Sequence, residues 1–335
     1  MYRNQKISLV IPAYNEEKLI RPTLEGVPEI FDRVYVVDDA SPDRQAEVVR
    51  EIAEKDPRIE LIQHERNLGV GQGIITGYLK SYEDGYDIAV VCGGDAQMPL
   101  EETPAFLDPI LDDGVDYCKG NRFMNRGNAF DIMPATRFWG NTLLSLMTKV
   151  ASGNYDVFDV VDGFVAISRR GIERVDWAKA WKGYGYPMDF VIRISAAGLV
   201  IKDVPRTAIY LPGERQSQIK GFRYMIKVTP MIFKAFVQRM VQRYIFADFH
   251  PLVLLYLLGG VCTGLGLLSA LVLGFDKLFL GGVGVTGPRS SLTALLLISG
   301  SIGVIGAMAM DIQNFQHQKL MRRLESIEKK NKAKD

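Results

Sequence analysis

Residues 87–102, DIAVVCGGDAQMPLEE, decide the fold. An apolar run from Ile88 to Cys92 stops at Gly93-Gly94-Asp95-Ala96-Gln97, and Pro99 with Glu101 and Glu102 opens the next segment. An apolar run of this length, closed by glycines, reads as a buried strand that leads into a helix. In an open α/β sheet, ligands sit outside the carboxyl ends of the strands. An aspartate at that end suits a divalent cation, because Mg²⁺ and Mn²⁺ take oxygen ligands and are held by few carboxylates plus substrate phosphates. Gly-Gly-Asp is equally ordinary turn chemistry. The rest of the chain has to decide between the two.

Working outward, further apolar runs stand at 7–12 (ISLVIP), 34–38 (VYVVD), 59–63, 115–119 and 199–204. Helical stretches alternate with the first of them. Asn15 is placed to cap the first helix, with Glu16 and Glu17 in its opening turn. The alternation predicts an α/β fold with a doubly wound, mainly parallel sheet. Gly69-Val70-Gly71-Gln72-Gly73 is not a dinucleotide fingerprint, since it follows the third strand and lacks the Gly-x-Gly-x-x-Gly spacing. Those glycines read as a tight turn that lets a helix approach closely.

Formal net charge is +1 over 335 residues, which gives no general case for nucleic acid as a partner. Cys92, Cys118 and Cys262 are scattered, and His64, His250 and His317 lie far apart. Neither a disulfide framework nor a zinc site is expected. The opening MYRNQK is too short and polar for a signal peptide, so a folded domain is expected to begin at once, in a reducing compartment.

The far end is different. Residues 250–274 and 290–310 carry no Lys, Arg, Asp or Glu. Each is long enough to cross about 30 Å of hydrocarbon as a helix. Their glycines suit close packing and leave homo-oligomer formation open. Lys220, Arg223, Lys227, Lys234, Arg239 and Arg243 precede the first run, and Lys319, Arg322 and Arg323 follow the second. The loop between them has only Lys277 and Arg289. Positive flanks stay inside, which predicts an integral membrane protein with its amino-terminal domain and both termini cytoplasmic. Between domain and spans, Phe222, Met225, Ile226, Ile232, Phe233 and Phe236 recur at helical spacing among cations, as in a membrane-interface segment. Pro230 is expected to split it into two short helices. The expected organisation is a cytoplasmic catalytic domain over 1–220, amphipathic interface helices over 221–247, two transmembrane helices over 248–312 and a basic cytoplasmic tail over 313–335.

Val10-Ile11-Pro12-Ala13-Tyr14-Asn15-Glu16-Glu17, Val37-Asp38-Asp39-Ala40-Ser41, Asn67-x-Gly69 and Asp95-Ala96-Gln97 follow one another in this order, each at a strand's carboxyl end. In these motifs the chain resembles family 2 glycosyltransferases of the GT-A fold. The resemblance implies a nucleotide-sugar donor. Pro12, Tyr14, Glu16 and Asp39 would meet the base and ribose, with Asn67, Gly69 and Ala96 also on the donor side. Asp95 and Gln97 would hold Mg²⁺ or Mn²⁺. The family's Asp-x-Asp has its first aspartate where this chain has Gly93, so weaker metal binding is expected.

Gly120-Asn121-Arg122-Phe123 and Met133-Pro134-Ala135-Thr136-Arg137 are similar to the polyprenyl-phosphate branch, the dolichyl-phosphate mannose or glucose synthases. That resemblance places the acceptor's phosphate on Arg122 and Arg137, with Arg126 able to stand in for Arg122. A guanidinium fork matches phosphate oxygens. Asp162, ahead of Gly163-Phe164, matches an element between donor and acceptor, and Asp189 falls where relatives face the sugar. The stretch Gly213–Lys220 resembles a basic loop over the diphosphate, with Arg215 a better candidate than Lys220 because Gln218 replaces the usual lysine. The implied reaction is inverting transfer of a hexose from a GDP- or UDP-sugar to dolichyl or undecaprenyl phosphate, with Asp95, Arg122, Arg137, Asp162 and Arg215 as the catalytic set. Two rivals stand beside it. One is a processive polysaccharide synthase, although Trp139, Trp177 and Trp181 do not follow its Gln-x-x-Arg-Trp pattern. The other is a decayed binding protein, to which Gly93 would point.

Overall fold

The computed structural model describes residues 1–124, 133–209, 221–247 and 250–332. It divides into two compact units, Met1–Ala235 and Phe236–Asp335.

In the first unit seven strands form one sheet: β1 (Ile7–Ala13), β2 (Arg33–Asp38), β3 (Ile59–Gln63), β4 (Ile88–Val91), β5 (Tyr117–Asn121), β6 (Val165–Ser168) and β7 (Ile201–Pro205), in the spatial order β3-β2-β1-β4-β6-β5-β7. The helices are α1 (Glu17–Glu25), α2 (Gln45–Ala53), α3 (Val70–Glu83), α4 (Thr103–Asp112), α5 (Ala135–Ser152), α6 (Arg169–Arg174), α7 (Tyr186–Ala196) and the greater part of α8 (Gly221–Val241), whose last turns belong to the second unit. The central strands are near-continuous apolar runs because both of their faces are covered. Alternate residues of β1 serve the two sides: Ile7, Leu9 and Ile11 pack with Phe106 and Phe164, whereas Val10 packs with Ile74, Tyr78 and Trp177.

Register is what builds the site. β1 runs parallel to β2 and β4, with Ala13 opposite Asp38 and Val10 opposite Val91. Tyr14, Asp39 and the Gly93–Gln97 turn therefore leave the sheet at one edge. β6 is antiparallel between β4 and β5, with Val91 opposite Val165. A strand that starts where its neighbour ends brings Asp162-Gly163 to that same edge.

Two local expectations are corrected. Asn15 does not cap α1; it holds a left-handed backbone at φ 59°, and the helix starts at Glu17 without a side-chain cap. The N–H groups at this end are met instead from the β2–α2 loop, Asn15's by Ser41 Oγ, Glu16's by Gln45 Oε1 and Glu17's by Asp43 Oδ2. Pro230 does not split its segment either, since α8 runs unbroken from Gly221 to Val241. The proline sits on the exposed face, where the carbonyl four residues back can be solvated once its helical bond is lost.

The second unit contains α9 (Leu252–Phe279) and α10 (Gly287–Lys332). Both contain apolar segments long enough to cross a membrane, Leu252–Phe279 and Gly287–Met321. Two apolar helices of that length point to membrane association. They touch through glycines: a Cβ on Gly300 would lie 2.5 Å from Thr263 N, and one on Gly259 2.7 Å from Val304 N. Backbones that close need small residues. Arg239 makes a two-pronged pair with buried Asp311, at 2.9 and 2.6 Å, and Tyr244 donates to the same carboxylate.

Candidate active site

The strand ends enclose a cavity of about 770 Å³ within the first unit. Its wall includes Pro12, Tyr14, Glu16, Asp39, Asn67 and Gly69 together with Asp95, Gln97, Arg122, Arg137 and Asp162. Residues that are scattered over the first half of the sequence thus meet in one place. Ala96 is the turn between two of them, held at φ 54°. Such strain persists only where surrounding structure imposes it, and it concentrates at functional sites. Arg126, Arg215 and Lys220 lie outside the described residues.

Asp39 is held rigidly. Its Oδ1 accepts from Leu68 N at 2.8 Å and from His64 Nδ1 at 2.7 Å, and its Oδ2 accepts from Gly69 N at 2.7 Å. His64 Nε2 lies 2.9 Å from Thr76 Oγ1 on α3, which fixes the ring. Gly69 stands at φ 94°, and a Cβ there would come within 2.6 Å of the Lys182 carbonyl. Only glycine lets the 67–69 turn seat against that segment. His64 was not singled out from sequence, because a lone histidine after a strand has no spacing signature.

Asp95 is the carboxylate at the other end. Burial pushes its carboxyl above the usual range, against the opposing pull of the Gln97 N–H at 3.2 Å and of Arg206. A cation would favour the ionised form. Its Oδ1 lies 3.0 Å from where a Cβ on Gly93 would stand, so a second carboxylate at 93 would share its space. Among the described residues, no three His, Cys, Asp or Glu side chains cluster as a metal cage. Asp95 and the Gln97 amide fit a Mg²⁺ or Mn²⁺ that takes its remaining ligands from a diphosphate and water, rather than one held by protein alone.

The arginines of the wall form an ionic ladder. Arg122 donates through Nε and Nη2 to the two oxygens of Asp159, both at 2.7 Å, and its Nε lies 3.2 Å from Asp162 Oδ2. Arg206, the residue after β7, donates from Nε to Asp162 Oδ2 at 2.7 Å and from Nη1 to the Thr207 carbonyl at 2.9 Å. Burial works against the Asp162 charge, but Arg206, Arg122 and Lys119, with the Phe164 N–H, outweigh it and leave the carboxyl below the usual range. Arg137 lines the cavity from the first turn of α5. Lys119 is buried yet satisfied by the carbonyls of Gly120, Phe158 and Asp159. Tyr184, Tyr186 and Tyr224 complete the wall.

Arg206 and the three tyrosines were also missed from sequence. The rule that finds Asp95, a polar residue just past a strand's carboxyl end, finds Arg206 as well. Asp189 is away from this cavity: its carboxylate accepts from Trp181 N at 2.8 Å and Arg193 Nε at 2.6 Å, a buried structural tie rather than a sugar contact or a solvated helix end.

Comparison with known proteins agrees with this geometry. Residues 8–176 match the family model described as "Glycosyl transferase family 2". A UDP-N-acetylglucosamine–dolichyl-phosphate N-acetylglucosaminyltransferase of Methanococcus voltae is 32% identical over 233 residues, covering 66% of this chain and 91% of that protein. An undecaprenyl-phosphate mannosyltransferase of Micrococcus luteus is 29% identical over 209 residues, covering 61% of this chain and 84% of that protein. Glucosyl-3-phosphoglycerate synthase of Mycobacterium tuberculosis, solved with UDP, shares the fold at a TM-score of 0.50 and 18% identity, over 70% of this chain and 80% of that one. The chain belongs to glycosyl transferase family 2.

Proposed function

We propose that this glycosyltransferase moves a hexose from a nucleoside-diphosphate sugar to a polyprenyl phosphate at the membrane surface. One observation carries the reading. A single cavity is lined by the buried carboxylate of Asp95 and by three arginines, Arg122, Arg137 and Arg206, in a chain that continues into two membrane-length helices. The names of the two relatives, both enzymes of polyprenyl phosphates, support it.

The chemistry needs little from the protein beyond placement. A phosphate monoester has a second pKa of about 6, so the acceptor is already a nucleophile at neutral pH. One of its oxygens bonds to the anomeric carbon as the bond from that carbon to the donor's diphosphate oxygen breaks. The electron pair leaves with the nucleoside diphosphate, and a single displacement inverts the centre. Arg122 and Arg137 orient the acceptor phosphate. Asp39, with one oxygen held by two donors, receives the base or ribose through the other. Asp95 and Gln97 would hold a Mg²⁺ or Mn²⁺, which would supply charge neutralisation for the diphosphate. Asp162 is no general base, because its charge is committed to Arg206 and Arg122; it positions both guanidiniums. Arg215 and Lys220, which lie outside the described residues, are proposed to add positive charge for the diphosphate. The positive flanks of the two apolar helices support a cytoplasmic orientation for this site.

The test is a panel of labelled GDP-mannose, UDP-glucose and UDP-N-acetylglucosamine, with purified chain, divalent metal and polyprenyl phosphate. One donor should give a labelled lipid. Label in a growing polymer, or in no product with any donor, would reject the reading.

A further inference from the structure

Asp39 has one acceptor position left to offer. An ionised carboxylate has about four such positions, two on each oxygen. Both positions on Oδ1 are filled, by Leu68 N at 2.8 Å and by His64 Nδ1 at 2.7 Å. On Oδ2 one is filled, by Gly69 N at 2.7 Å. The residue is only 4% exposed and lines the cavity, so a ligand there meets a carboxylate with a single open site, on Oδ2.

His64 is the group that completes Oδ1, and it is tied at both nitrogens. A carboxylate only accepts, so Nδ1 carries its hydrogen whatever the charge of the ring. The other nitrogen, Nε2, lies 2.9 Å from Thr76 Oγ1, and Gln72 Nε2 reaches the same hydroxyl at 3.4 Å. Thr76 and Gln72 both belong to α3, which packs closely on the cavity wall: a Cβ on Gly73 would lie 3.2 Å from Pro12 Cβ. The ring cannot swing off Asp39 without giving up the contact on α3 as well.

Guanine and uracil differ at such a carboxylate. Guanine presents two donors side by side, N1–H and an N2–H, which take one oxygen each. Uracil presents a single donor, N3–H, between two carbonyls. With Oδ1 full, a guanine edge leaves one of its donors unpaired against Asp39, and an unpaired donor in a buried site is the costly arrangement. Uracil leaves none. We infer that the donor is a uridine diphosphate sugar, its uracil N3–H bonded to Asp39 Oδ2, and that His64 excludes guanosine by occupying Oδ1. This rests on the nucleotide-sugar reading of the cavity and adds the base to it.

Binding in the absence of acceptor tests the base choice, so that it and sugar transfer fail separately. Calorimetry on the full chain in detergent, with Mn²⁺ present, compares UDP, GDP and N3-methyl-UDP. UDP should bind about 10- to 100-fold more tightly than either of the others, the scale of one unmade hydrogen bond in a buried site. GDP binding as tightly as UDP would overturn the inference and leave a GDP-sugar glycosyltransferase standing. N3-methyl-UDP binding like UDP would overturn it too, because Asp39 would then be reading the ribose. Binding of none of the three would remove the donor reading itself, and this inference with it. His64→Ala opens the second position on Oδ1, so the preference for UDP over GDP should fall by about tenfold. His64→Asn keeps an N–H donor and should restore most of the preference. Equal weakening of both nucleotides in His64→Ala, with the preference unchanged, would overturn the role given to His64.

Discussion

Arg206 Nε donates to Asp162 Oδ2 at 2.7 Å, and the same oxygen lies 3.2 Å from Arg122 Nε. One buried carboxylate braces two guanidiniums on the cavity wall. Asp162→Asn removes the charge that holds both. Breaking a buried pair on one side costs about 3–5 kcal/mol, so thermal unfolding in detergent should shift down clearly. The pH dependence follows from a carboxyl depressed in the folded state. Its stabilisation is present above the unfolded value and is lost as pH falls through the lower, folded one. An Asp162→Asn chain should therefore lie closer to wild type in acid than at neutral pH. A gap independent of pH would contradict this.

Arg206 itself is expected to bind the donor's diphosphate, because its Nη1 reaches toward the Gln97 carbonyl at 3.5 Å, next to Asp95. Arg206→Gln should weaken nucleoside-diphosphate binding about tenfold, in line with the loss of one charge-assisted hydrogen bond. Calorimetry in the absence of acceptor reads this directly. Unchanged affinity would confine Arg206 to bracing Asp162.

Asp95 behaves oppositely to Asp162. Burial raises its carboxyl, so the fold without ligand favours the neutral form and is penalised as pH rises past the unfolded value. Asp95→Asn should lower turnover by about 10²–10³, the usual scale for losing one electrostatic contact to developing charge. It should also raise the ligand-free melting temperature at neutral pH. Lost activity with lowered stability would show instead that Asp95 is structural.

Gly93 stands where a second carboxylate would thicken the proposed metal site. A Cβ there would lie 3.0 Å from the flexible end of Asp95, which can move. Gly93→Asp should tighten Mn²⁺ binding to the nucleotide-free chain, as read by the loss of free-Mn²⁺ signal in paramagnetic resonance. No change would mean that position 93 does not face the cation.

The meeting of the Tyr14, Asp39 and Asp95 loops was legible because each follows a strand written as a continuous apolar run. Residues 7–12, 34–38 and 87–92 end in the polar groups that meet at the sheet edge. Arg122 and Arg137 were legible only as separate arginines. The strand that joins their part of the wall to the Asp95 turn, β6, is four residues long and antiparallel, too short for periodicity to announce. Arg206 and His64 depend on that long-range pairing and on loop contacts, neither of which spacing encodes.

The central claim is that a lipid phosphate oxygen is the nucleophile. The most direct measurement offers the chain, in nanodiscs with its labelled donor, either a polyprenyl phosphate or the matching polyprenol. With the phosphate, the expected result is an organic-soluble, acid-labile glycosyl phosphate that disappears in Asp95→Asn. With the alcohol, no labelled lipid is expected. Equal transfer to the two acceptors would contradict the account, since the alcohol lacks both the ionised oxygen and the charge that Arg122 and Arg137 are proposed to bind.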